Sequence, residues 1–213
     1  MIVKPINYGD TKKFILEIHY ARRMPCVQYA FGLLENNELI GIITYGQPAS
    51  PSLCKGVAGE HNRKNVLELN RLVLSPEYNG KNLASILISK SLKLLPPHKI
   101  IVSYADIGGW GHNGYVYQAT NFLYTGTTKP RTDKYGGENG HSRHYSKDET
   151  RRQIRTAKHR YITFTGTKRD KKELLKELRY PIIKQYPKGQ NTMYDVNNPI
   201  SANENLGKPI NKG

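Results

Sequence analysis

Residues 66–105 constrain the fold of this chain more than any other stretch. Two apolar, strand-type runs, 66–74 (VLELNRLVL) and 99–105 (KIIVSYA), flank one long helical pattern, 79–95 (NGKNLASILISKSLKLL). In that pattern Leu83, Ile86, Leu87 and Leu94, with Ala84, Ile88, Leu92 and Leu95, give a broad apolar face at helical spacing. Pro96 and Pro97 stop it. A strand, a helix and a strand in this order predict a parallel strand pair joined by a right-handed crossover. Such a unit excludes an all-α or an all-β chain and requires helices against a sheet.

The flanking segments predict what surrounds that unit. Residues 10–20 read as a short helix with Asp10 at its N-cap and Phe14, Ile15 and Ile18 as its stripe. Residues 28–34 and 39–46 read as two strands joined at Glu35-Asn36-Asn37-Glu38, a hairpin turn. Residues 47–64 read as loop. A second helix starts near Asn113, strands follow at 122–126 and 161–165, and a short helix at 171–178. The expected fold class is α/β (α+β): a mixed central sheet with helices on both faces. Within 66–74, alternation sends Leu67, Leu69 and either Leu72 or Val73 toward apolar neighbours, and Glu68 and Asn70 elsewhere.

Charge divides the chain further. Of a net charge of +16, residues 1–128 carry 13 Lys+Arg against 8 Asp+Glu, residues 129–190 carry 18 against 7, and residues 191–213 carry 2 against 2. This predicts a core over 1–128, a basic extension over 129–190 and a disordered, Asn- and Gly-rich tail over 191–213. An excess so concentrated points to a polyanion such as nucleic acid, against the plainer alternative of a solvated basic face. No apolar run approaches the roughly 20 residues of a membrane span. No signal-type apolar region follows Met1, and Cys26 and Cys54 make no disulfide framework, so no membrane partner and a reducing, cytoplasmic setting are expected.

Several residues carry candidate chemistry. Asp106 leaves a buried-type strand for the glycine-rich loop 106–111 (DIGGWG), where α/β sheets open their ligand crevices; it is the first candidate for a general base, with a capping role as the alternative. Glu68 and Asn70 share a strand face and suit holding a water or an amine; a Glu68–Arg71 salt bridge is equally reasonable. His19 and Tyr20 close the first helix, where a histidine serves as acid/base or metal ligand, or simply bonds the last carbonyls. Trp110 lies among glycines and suits stacking on a base, with burial as the alternative. Arg143, Lys147, Arg151, Arg152, Arg155, Lys158, His159 and Arg160, interleaved with Tyr145 and Tyr161, form the expected phosphate-binding surface.

The element order, the turn Tyr78-Asn79-Gly80-Lys81-Asn82-Leu83-Ala84 and the run Tyr117-Gln118-Ala119-Thr120-Asn121-Phe122 resemble the GNAT acyltransferases. The resemblance implies that Asn79, Gly80, Lys81 and Asn82 meet the pyrophosphate of acyl-coenzyme A at a helix N-terminus, although this turn has one glycine where the family has more small residues. It also implies that Tyr117 protonates a leaving group. Tyr115, two residues away on the same helix, points elsewhere. Asn121 stands where the family has glycine, and asparagine tolerates a left-handed backbone.

Four further strings, His19-Tyr20, Glu68-Leu69-Asn70-Arg71-Leu72, Ser103-Tyr104-Ala105-Asp106 and His112-Asn113-Gly114-Tyr115-Val116-Tyr117-Gln118-Ala119, resemble the bacteriophage Mom family over roughly residues 14–190. That resemblance implies conversion of adenine in double-stranded DNA to N6-carbamoylmethyladenine, which shields phage DNA from restriction. It implies a host-cytoplasmic enzyme, a possible homodimer, and His19 and Tyr20 facing the active site. Iron has been suggested for the family; the metal and the group donor stay open here. The competing expectations are a GNAT-type N-acyltransferase acting on a protein, a small amine or tRNA, with acyl-coenzyme A or aminoacyl-tRNA as donor, and a DNA-binding protein without catalysis. The enzyme reading requires Asp106, Tyr117 and His19 to converge on one cleft beside a cationic rim.

Overall fold

The computed structural model describes residues 1–78, 82–107, 111–135 and 150–189. Its main sheet contains β1 (Ile2–Pro5), β2 (Tyr29–Glu35), β3 (Glu38–Gly46), β4 (Val66–Leu74), β5 (Ile100–Asp106), β6 (Leu123–Thr127) and β9 (Lys158–Phe164), in the order β1-β2-β3-β4-β5-β9-β6. Two further strands, β7 (Arg131–Lys134) and β8 (Arg152–Arg155), form a separate antiparallel ribbon. Only β4 and β5 run parallel, as the crossover requires; the other pairs are antiparallel. At the β2–β3 hairpin Glu35 pairs with Glu38, and Asn36 and Asn37 both take positive φ, 49° and 67°, as a two-residue turn of the right hand demands.

Helices cover both faces. α3 (Leu83–Leu94) buries Leu83, Leu87 and Ile88 against Phe31, Ile43, Leu67, Leu69 and Ile101. On the other face, Cys54, Val57 and Ala58 of α2 (Pro51–Ala58) and Leu174 of α5 (Lys168–Lys176) pack on Val66, Ile100, Val102 and Ile162. A short α4 (Tyr115–Ala119) precedes β6. Between them Asn121 takes φ 60°, the left-handed geometry expected of it, and turns the fully buried Phe122 inward. Leu94, expected on the apolar face of α3, is instead 47% exposed.

Three elements depart from the sequence expectations. The segment expected as loop contains α2, which Ser50 caps by accepting from the Leu53 N–H (3.2 Å), with Pro51 at the first position. β1 is an unexpected edge strand. The first helix, α1 (Tyr8–Lys13), begins after Asn7 and not at Asp10; the Asp10 carboxylate reaches back to accept from the Asn7 N–H (3.0 Å). It ends at Lys13, and Phe14–Ile18 continue as a wider π-helical turn from which His19 emerges in extended conformation.

The feature that shapes the sheet is a bulge in β4. Thr44 of β3 pairs with Arg71 and Tyr45 with Leu69, so Asn70 has no partner of its own. Its amide is fixed from both ends: Oδ1 accepts from the Thr44 hydroxyl (2.6 Å) and Nδ2 donates to the Cys26 carbonyl (2.8 Å). The extra residue shifts the alternation. Leu67, Leu69 and Leu72 therefore meet the α3 side, while Val73 turns to the opposite face with Ile42, Phe14 and Ile15. Parallel pairing with β5 stops at Glu68–Val102, and beyond that point the two strands diverge. Across the opening the Ser103 hydroxyl donates to the Leu69 carbonyl (3.1 Å), supplying the hydrogen bond that the ladder no longer gives.

Replacing Asn70 by Ala leaves the Thr44 hydroxyl and the Cys26 carbonyl without this partner. We expect a loss of about 1–3 kcal/mol in stability, seen as a lower urea midpoint at an unchanged m-value.

Candidate active site

The divergence of β4 and β5 opens a cleft of about 340 Å³, within the size range of small-ligand sites. β4 contributes Glu68 and Arg71, β5 contributes Tyr104 and Asp106, and the exit of the π-helical turn brings in His19 and Tyr20. His112, Tyr115 and Tyr117 approach from the α4 side, and Lys158 from the start of β9. Asp106, Tyr117 and His19, which the sequence reading required to converge, thus line one cavity together with Tyr20 and Glu68.

Asp106 is 8% exposed. The Thr156 hydroxyl donates to its Oδ1 (2.5 Å), and its backbone carbonyl accepts from the His112 N–H (2.8 Å). No ion pair to Asp106 is found among the described residues; the Thr156 hydroxyl orients its carboxylate.

His19 stacks on Tyr20 with ring centroids 4.2 Å apart, and its Nδ1 accepts from the Ala21 N–H (3.0 Å). That bond assigns the proton of the neutral ring to Nε2. Burial holds His19 well below the ordinary histidine range, and the Arg71 and His112 charges add to the effect, so the ring is neutral at pH 7 and offers its Nε2–H as a donor. Tyr117 is pushed up to about 12, chiefly by burial, with the Ser103 hydroxyl acting in the opposite sense; it stays a phenol, able to donate. Tyr20 is also raised by burial. Tyr115 lines the cleft as well, but it is 40% exposed and its hydroxyl is bonded to the backbone of Gly189.

Glu68 is raised by burial, while Lys158 and Arg71 pull it the other way. The expected Glu68–Arg71 salt bridge is not found among the described residues. The Arg71 guanidinium donates instead to the carbonyls of Asn70 (2.6 Å) and Arg23 (2.7 Å), and its Nε is buried without a partner. Asn70 also lines the cleft, with one bond at each end of its amide engaged in the bulge.

The basic residues separate into three groups. Lys158, expected on the phosphate surface, lies in the cleft; burial lowers its ammonium, and Asp106 and Glu68 oppose that. Arg160, expected beside it, is 9% exposed, donates to the Thr125 hydroxyl (3.0 Å) and carbonyl (2.8 Å), and covers the Tyr180 ring, which takes it off the outer surface. His159 is likewise buried against Tyr124. Arg151, Arg152 and Arg155 stay on or beside the ribbon: Arg151 is exposed over the Tyr135 ring, and Arg155 pairs with Asp133 (3.3 Å). Asn82 starts α3 in left-handed conformation, its carbonyl accepting from the Ile86 N–H (3.2 Å). Asn79, Gly80, Lys81, Trp110, Arg143 and Lys147 lie outside the described residues.

Among the cleft groups are Lys158, which sequence reasoning assigned to the phosphate surface, and His112, to which it gave no role. Lys158 is directly opposite Asp106 in the β5–β9 ladder, a pairing that only topology reveals. His112 was within reach, because it opens the string that ends in Tyr117. As to iron, the His, Asp and Glu side chains of the cleft do not gather a three-ligand set among the described residues; the group that does, His98, Asp170 and Glu173, lies outside it and is largely exposed. No described helix is long and apolar enough to cross a membrane.

Residues 1–188 match the Mom protein family. The chain is 29% identical over 141 residues to the methylcarbamoylase mom of Escherichia phage Mu, a match covering 64% of this chain and 58% of that protein, so it spans less than two thirds of that relative's length. Among solved structures it is similar to Arabidopsis thaliana NAA60 in complex with a bisubstrate analogue (13% identity, TM-score 0.48, 78% of this chain and 98% of the other). It is also similar to a GNAT-family acetyltransferase from Bacillus cereus ATCC 10987 (14% identity, TM-score 0.45, 78% and 98%).

His19, His112 and His159 are all lowered by burial, so the unfolded chain takes up protons first as the pH falls. Stability is therefore full above about pH 6.5 and declines below it. A His19→Gln variant should show a shallower fall in Tm between pH 7.5 and 5.5 than the parent, measured by scanning calorimetry.

Proposed function

Because the chain belongs to the Mom protein family, we propose that it transfers a small carbon unit to the exocyclic amine of adenine in DNA, leaving N6-carbamoylmethyladenine. The observation that carries this reading is the convergence of an oriented carboxylate, a neutral imidazole and a protonated phenol on one cleft beside Arg71 and Lys158.

The chemistry follows from adenine. Its N6 lone pair is delocalised into the ring, so attack requires placement, removal of an N6 proton and a group to receive the charge that leaves the donor. Asp106 is the base in this reading, held by Thr156 at the mouth of the splayed strands. The N6–carbon bond forms as the bond between that carbon and the donor's leaving group breaks. The N6 proton passes to Asp106, and Tyr117 protonates the leaving group. In this reading His19, neutral and stacked on Tyr20, offers a hydrogen-bond donor to the reacting groups. A base in duplex DNA reaches such a cleft only when it is extruded.

The ribbon supports a polyanion partner. Arg131 stands opposite Arg155 and Lys134 opposite Arg152, like charges that oppose strand pairing unless counter-charge lies nearby. Asp133 partly neutralises the first pair, and a ribbon carrying Arg131, Lys134, Arg152 and Arg155 suits contact with a phosphate backbone. Such an enzyme works where phage DNA is found, in the host cytoplasm.

Expression of the chain in bacteria should give a mass-shifted deoxyadenosine in nucleoside digests. Asp106→Ala should lower its formation by about 10²–10⁴-fold while retention on immobilised DNA persists; unaltered nucleosides from the folded parent would refute the reading. Replacing Arg151, Arg152 and Arg155 by Gln should weaken DNA binding and flatten its dependence on log salt by about 0.9 per lost phosphate contact.

A further inference from the structure

The β7–β8 ribbon has two unlike faces. Paired residues share a face and neighbours alternate, so Arg131, Asp133 and Arg155 stand on one side and Thr132, Lys134, Arg152 and Ile154 on the other. The first face is engaged with the protein itself. Asp133 lies between Arg131 and Arg155, 3.3 Å from each, and Tyr135, next in the same alternation, is buried with the Arg151 guanidinium over its ring. The second face is the outward one. It sets exposed Thr132 opposite exposed Ile154, both β-branched, with Lys134 opposite Arg152 beside them. A surface that only attracted phosphate would gain from charge at every outward position. This one gives two of those positions to a hydroxyl and an apolar group.

The ribbon also stands at the lip of the cleft. The chain leaves β6 for β7 through Thr128, whose N–H donates to the Lys158 carbonyl (2.9 Å) and whose hydroxyl accepts from the Lys158 N–H (3.0 Å). Lys158 lines the cleft, opposite Asp106 in the ladder. A nucleic acid held on the ribbon is therefore beside the place where a base would enter.

We propose that the ribbon lies in the major groove of duplex DNA, with Thr132 and Ile154 against base edges and Lys134 and Arg152 on the phosphates of the flanking backbone. Dimensions select the groove. Two strands about 5 Å apart, with their side chains, fit a groove about 12 Å wide and not one about 6 Å wide. Chemistry selects the reading. Thymine presents its C5-methyl group in the major groove, an apolar complement to Ile154, and every base pair there presents an acceptor to the Thr132 hydroxyl. The deep, narrow major groove of A-form RNA excludes the ribbon. The inference rests on the transfer reading for its partner and deepens it, because contacts to base edges give the enzyme a means of preferring some sequences.

Fluorescence anisotropy with the full chain tests this. The probes are a mixed-sequence DNA duplex, the same duplex with uracil in place of every thymine, one of its single strands, and the matching RNA duplex. The parent should bind the thymine duplex about fourfold more tightly than the uracil duplex, the effect of burying one methyl-sized group, and the RNA duplex more weakly than either. Ile154→Ala should abolish the thymine–uracil difference at an unchanged salt slope. Lys134→Gln with Arg152→Gln should weaken both DNA duplexes alike, keep their ratio, and flatten the salt slope by about 0.9 per lost contact. Circular dichroism checks that the variants are folded, and the parent's ranking of the probes is a test on its own. Equal affinity for the thymine and uracil duplexes, a difference that survives Ile154→Ala, or tighter binding of the single strand or the RNA duplex would overturn the proposal. Modified nucleosides without thymine–uracil discrimination would refute the ribbon's placement alone. Discrimination with unmodified nucleosides would refute the transfer reading and leave the ribbon in the groove.

Discussion

One side-chain amide shapes this molecule's working end. Asn70 is the extra residue of a bulge, and its two polar atoms are tied to strand β3 and to the segment carrying Cys26. Because it is pinned at both ends, β4 turns away from β5 just after their parallel contact begins. The cleft exists because that contact is only three residue pairs long. Ser103 bridges the wedge near its apex, satisfying a carbonyl that would otherwise be buried without a donor. Beyond Ser103 the two strands contribute side chains and no shared ladder, so a hydrophobic sheet acquires a polar mouth.

Burial within that mouth sorts the ionisable groups. It keeps the His19 ring neutral and the Tyr117 phenol protonated, and it makes the charged forms of Glu68 and Lys158 harder to sustain. One desolvated environment therefore prepares a neutral imidazole and a protonated phenol, without a separate device for each. The cationic ribbon lies outside that environment, where counter-charge from solvent or a polyanion reaches it.

Much of this was legible in the sequence, for a definite reason. The β4–α3–β5 unit announces itself because burial on a sheet and on a helix impose different periods, and residues 66–105 obey each in turn. Asn121 and the Asn36-Asn37 turn were legible because left-handed backbone selects asparagine. The missed elements lack periodicity. β1 is a four-residue edge containing Lys4 and Pro5, and β7 and β8 carry charges where a buried strand would alternate. α2 was hidden by a composition resembling a loop, although Ser50-Pro51 is a good helix start. At the site, Asp106 and Glu68 could be chosen from their strand positions. Lys158 could not, since its place depends on which strand lies beside β5, and a basic neighbourhood pointed elsewhere. The choice between Leu72 and Val73 was undecidable from alternation because the bulge at Asn70 sets which of the two meets α3.

Thr156 sits immediately after the last residue of the ribbon, Arg155, and two residues before β9. Its hydroxyl is the hydrogen-bond donor that aims the Asp106 carboxylate. The strand of the ribbon and the hydroxyl that aims the carboxylate are therefore consecutive links of one short tether, anchored at its far end in the main sheet. A rigid shift of the ribbon cannot leave that hydroxyl where it was, so how the outer arms sit and how the carboxylate is aimed are mechanically one variable.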